Sequence, residues 1–157
     1  RFGGYKLLIE GLPVDVWTIA SHWAFRENIL KRSFENIKYS TFLNFDSVYY
    51  NITKDIGIAD VFNDAMTRSF LDITLEDKYI YRNPFAVTNI IRMFVIKETW
   101  NLRFSSKVEQ YIFQWVKGQS NPIESLWEAQ IKHYKGKIIL SKHNMAKLLK
   151  KYINLSV

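Results

Sequence analysis

The 157-residue chain contains no cysteine, so it carries neither a disulfide framework nor a thiolate metal site. Its three histidines, His22, His133 and His143, are too scattered for a closed zinc site. Glycine is scarce, with six in all, and they form no Gly-x-Gly-x-x-Gly and no Walker-type phosphate loop. Gly-x-Ser-x-Gly is missing too, and with it the nucleophile elbow of the hydrolases. No uninterrupted apolar run approaches the ~18–20 residues that cross a bilayer, so a membrane span is not expected and a cytoplasmic location is. There is no starting Met and no signal peptide before Arg1-Phe2-Gly3-Gly4; the chain reads as a piece of a longer protein. No acidic residue follows Glu128.

What is present argues for a packed protein. The hydrophobic share is 48% and the aromatic share 16%, well outside the range of disordered chains. The net charge of +7 sits at one end. Up to Glu128 the fifteen basic and fifteen acidic residues cancel, and the seven lysines from Ala129 onward carry the whole excess. Such a local field attracts polyanions and weakens with salt, or it is simply a solvated helix face.

The first half reads as strands and turns. Tyr5 to Glu10 is a short apolar run, Gly11-Leu12-Pro13 a turn, and Val14 to Trp17 alternates as a half-buried strand does, so the three make a hairpin. Ser47 to Ile52 is a second strand, with a return at Ile58 to Val61. Asn63 to Ser69 is helical, and Phe70 to Thr74 alternates again. From Pro84 the period changes to that of helices. The first is apolar almost all round and therefore deeply buried. The second carries the stripe Val108, Tyr111, Ile112, Trp115 and Val116, and ends at Gly118. Asn121-Pro122 opens a third and Ser141 caps a fourth, whose off-stripe face holds Lys142, Lys147, Lys150 and Lys151. Strands followed by helices give an α+β fold: a small mixed or antiparallel sheet domain over residues 1–82 and a helical domain over 83–157.

Among chemistry-bearing residues Asp15 stands out. It lies between Val14 and Val16 and so points to the face opposite them. Lining a cleft it would offer oxygen to a hard divalent cation; on an edge strand it would face solvent. Arg92, in the middle of the apolar helix, would pair with the sheet domain or reach a phosphate.

Five consecutive segments, 6–17, 41–52, 57–74, 82–94 and 96–112, carry a resemblance to the nucleotidyltransferases of the DNA polymerase beta superfamily. The likeness is to the head and neck of the tRNA CCA-adding enzyme and poly(A) polymerase group, and it covers residues 3 to 116. It implies two-metal nucleotidyl transfer, with an NTP such as ATP as donor and RNA, a protein or a small molecule as acceptor. Asp15 falls on the strand of the superfamily's third carboxylate, implying a catalytic and metal-binding role toward Mg²⁺. Asn44 matches the Asn before the central strand and Pro84 the proline that opens the nucleotide-contacting helix. The resemblance thus places Asn44, Asn83 and Arg92 at the nucleotide; the lysine excess, not the resemblance, makes Lys142, Lys147, Lys150 and Lys151 the candidate contacts to nucleic acid. The departures are specific. No Asp-x-Asp pair occurs, Lys38-Tyr39-Ser40 stands where Arg-Arg-Asp is usual, and Ala86 and Asn89 replace helix arginines. Two readings follow: an inactive fragment of a transferase, or a degenerate, non-catalytic fold that binds RNA or protein. A free sheet edge would allow a homodimer.

Overall fold

The computed structural model describes residues 4–154; Arg1, Phe2 and Gly3 of the opening stretch lie outside them. The fold is α+β, as the sequence pattern implies, but its strands do not assemble into one sheet. Among the described residues they form three separate pairs. Strands β1 (Tyr5–Ile9) and β2 (Leu12–Val16) are antiparallel, as are β3 (Tyr49–Asn51) and β4 (Ile56–Ile58). The third pair is parallel and joins β5 (Phe70–Leu71) to β6 (Arg103–Phe104). The first hairpin turns at Glu10-Gly11, both at positive φ (50° and 82°). That is the two-residue turn whose twist matches its flanking strands, and it lies one step before the expected Gly11-Leu12-Pro13.

Short helices link these pairs: α1 (Trp23–Arg26), α2 (Ile37–Ser40), α3 (Asp60–Thr67) and α4 (Asp77–Ile80). Helix α3 takes Val61, which the sequence pattern had placed in a strand. Four longer helices follow: α5 (Ala86–Trp100), α6 (Ser106–Lys117), α7 (Pro122–His133) and α8 (Lys142–Asn154). Their ends are chemically defined. Ser105 Oγ accepts from the Val108 N–H, Asn121 Oδ1 from the Glu124 N–H and Ser141 Oγ from the Asn144 N–H, which satisfies amide groups that a helix start leaves open. Asn101 closes α5 in the left-handed conformation, a role open to Asn and Gly.

Helix α5 is the centre of the core. Its Ile90, Ile91, Met93 and Phe94 are fully buried, in one cluster with Val108 and Ile112 of α6, Leu126 of α7, and Met145 and Leu149 of α8. Each such side chain contributes about 1.5–3 kcal/mol when taken from water. The same cluster takes in Trp23, Phe42, Leu43, Leu71 and Ile73 from the first half. One core therefore runs across residues 82 and 83, and the β5–β6 pair ties the two halves by backbone as well. No helix among the described residues is long and apolar enough to cross a membrane.

Candidate functional site

The residues singled out by sequence fall in three places. Asp15 sits on β2 and lines a groove of about 430 Å³ at the base of the first hairpin. Trp17, His22, Trp23 and Phe85, just before α5, complete its walls. The carboxylate does point away from Val14 and Val16, as alternation requires, and Lys6, its cross-strand neighbour, donates to Oδ1 at 2.7 Å. Asp15 is 55% exposed and its partner Lys6 87%, so the pair is screened and worth under about 1 kcal/mol. Among the described residues no second carboxylate lines the groove, and they contain no cluster of three metal-ligating side chains. Magnesium takes six oxygens around it and usually more than one anionic partner. One carboxylate already facing an ammonium does not fit that requirement, so these residues do not by themselves make a two-metal centre.

His22 lies in the wall of the same groove. Its Nδ1 is buried without a hydrogen-bond partner, and burial holds the imidazole below its ordinary value. The folded state thus keeps His22 neutral. That contribution to stability is full above about pH 6.5 and is lost as pH falls through the lowered folded value. Urea midpoints of the wild type should therefore fall more between pH 7 and pH 5 than those of His22→Phe. Parallel pH profiles would show that His22 carries none of the acid sensitivity.

The second place is the junction of the halves. Asn44 is buried in a 3-10 turn, Asn44–Asp46, and its amide is engaged at both ends. Nδ2 donates to the Phe70 carbonyl and Oδ1 accepts from the Asp72 N–H, both at 2.9 Å. Arg92 Nη2 donates to both carboxylate oxygens of Asp46 at 2.7 Å, so of its two sequence options the pairing across the halves is what the structure contains. Asn83 Oδ1 accepts from the Phe85 N–H and from Asn89 Nδ2, holding the entry to α5. These three residues are not brought to one pocket. In each case the side chain is engaged within the protein.

The third place is α8. Its stripe of Met145, Leu149 and Tyr152 is buried and its lysines lie outward. They divide into two classes. Lys142 Nζ donates to Glu124 at 2.6 Å, and Lys151 Nζ to Glu109 at 2.5 Å. Glu109 also accepts from the Tyr152 hydroxyl at 2.5 Å, which pins α8 to α6. Burial, with the Glu109 carboxylate second, pushes the Tyr152 hydroxyl above its ordinary value. Lys147 and Lys150 form no ion pair among the described residues. Both line a groove of about 690 Å³ between α8 and the α5–β6 edge, with Phe94, Lys97 and Phe104. Both also line a second one, of about 440 Å³, on the α7 side, with Ile123 and His143. Two unpaired ammonium groups on the ridge between two open grooves are suited to binding extended anions.

No family model, curated protein or solved structure matches the chain; the likeness to the polymerase beta superfamily rests on the sequence segments alone.

Proposed function

We propose that this chain is a non-catalytic RNA-binding module on a degenerate nucleotidyltransferase-like frame, holding the phosphate backbone along α8. The observation that carries the reading is the pair Lys147 and Lys150, free of carboxylate partners among the described residues and shared by both grooves. The lone Asp15, neutralised by Lys6, and the engaged Asn44, Asn83 and Arg92 favour binding over transfer of nucleotides. The alternative, a piece of a transferase that uses NTP and Mg²⁺, draws its support from Asp15 lining a groove beside Phe85. The proposal places the protein in the cytoplasm, together with its RNA.

The test is a titration of labelled oligouridylate against wild type and Lys147→Glu/Lys150→Glu. Both side chains are exposed, so the fold should survive. Affinity at low salt should fall about tenfold or more, and the slope of log K against log[salt] should shrink by roughly 0.7 for each phosphate that the variant no longer neutralises. Affinity within twofold of wild type would refute the reading.

A further inference from the structure

The first hairpin stands out from the rest of the surface. Every residue of β1 is exposed, Leu8 to 74%. Cross-strand pairing puts Tyr5 with Val16, Leu7 with Val14 and Ile9 with Leu12, and because alternate residues share a face, these six make one wholly apolar face. Both strands belong to a two-stranded sheet, so among the described residues each has a free edge, and the two edges are chemically unequal. Pro13 lies opposite Leu8. Proline has no N–H, so this pair is of the non-hydrogen-bonded type. The N–H and C=O of Leu8 therefore point away from β2, and by alternation so do those of Lys6. On the far side the β2 edge lacks the donor that Pro13 cannot supply, which blunts it. The β1 edge has no such defect.

We propose that the β1 edge pairs with β1 of a second copy of this chain, antiparallel about a two-fold axis through Leu8. That register sets outward-facing groups against outward-facing groups. Leu8 exchanges both backbone hydrogen bonds with Leu8 of the second copy, and Leu7 lies beside Ile9 of the second copy on the apolar face. It also brings Lys6 alongside Glu10, the first turn residue just past β1, of the second copy, twice, so charge complementarity favours this register over one shifted along the strand. The pairing is confined to two strand edges and belongs to the small, weak class of interfaces. A dimer of this kind carries two α8 ridges, so its grip on a long polyanion would gain from bivalency; the pairing itself does not depend on RNA binding.

Sedimentation of the full chain across a concentration series tests the proposal through charge reversal. Lys6→Glu/Asp15→Lys keeps the pair within the hairpin but sets Glu against Glu10 of the second copy; self-association should weaken about tenfold or more. Adding Glu10→Lys restores opposite charges across the interface and should restore the wild-type association. Hydrogen exchange provides the second measurement: the Leu8 amide should gain protection as wild-type concentration rises, and the Leu7 amide, which faces β2, should not change with concentration. A wild type that stays monomeric over the whole series, a double variant that associates as wild type does, or a triple variant that stays as weak as the double, would each overturn the proposal. Circular dichroism on each variant separates loss of pairing from loss of the hairpin fold.

Discussion

Gln130→Leu should lower the stability of the protein by about 3 kcal/mol, and the loop before α8 is where the loss arises. Gln130 is fully buried on α7. Its Oε1 accepts from the N–H groups of Ile139 and Leu140, at 3.2 and 2.7 Å, and its Nε2 donates to the Leu140 carbonyl at 3.0 Å. One side chain thus replaces the secondary structure that this stretch of backbone lacks. Leucine fills a similar volume and cannot bond, so the Leu140 N–H and C=O remain buried without partners. Each unsatisfied group costs about 1–3 kcal/mol, offset in part by the apolar side chain. A urea midpoint that falls at constant m measures the change. A loss below about 0.5 kcal/mol, the size of an ordinary surface substitution, would show that Gln130 does not hold the loop.

The second large effect belongs to Asn44. Asn44→Ala removes both bonds that link the 3-10 turn to the strand at Phe70–Asp72. It leaves the Phe70 carbonyl and the Asp72 N–H without those partners, at a cost of about 2–4 kcal/mol. The damage should spread, because the same strand is held by Leu43–Ile73 bridging and by the Asn44 N–H to the Asp72 carbonyl, and Asp72 Oδ1 accepts from Ser105 Oγ at 2.6 Å. Asn44 is the residue that the family resemblance places at the nucleotide, so this variant separates two roles. A structural asparagine gives the stability loss with no nucleotide present. A purely ligand-binding one leaves the urea midpoint unchanged.

The helical half was the more legible part of the sequence. Stripes at helical spacing with Ser or Asn caps describe a local property, and α6, α7 and α8 follow them closely. The hairpins were legible for the same reason, to within a residue or two at their turns. What sequence did not reveal is set by distant partners. Arg92 offered two roles, and the choice was made by Asp46, forty-six positions away. The parallel β5–β6 pair consists of two residues on each side, too short for alternation to register. The lysine excess of the C-terminal stretch was plain, but which of its members are free was not. Lys142 and Lys151 are engaged by Glu124 and Glu109, eighteen and forty-two positions upstream. Asp15 was correctly aimed by alternation, and its lack of companions is a fact of the surrounding groove, invisible from the strand alone.

The single core has a consequence for synthesis. Leu43 and Leu71 emerge from the ribosome before α5 to α8, yet they belong to one buried cluster with Ile90, Ile91, Met93 and Phe94 of α5 and with Met145 and Leu149 of α8. The early half cannot complete its core until α8 has been translated. During that interval its apolar strands are exposed in the nascent polypeptide, which makes this the stage at which a holdase chaperone has most to protect.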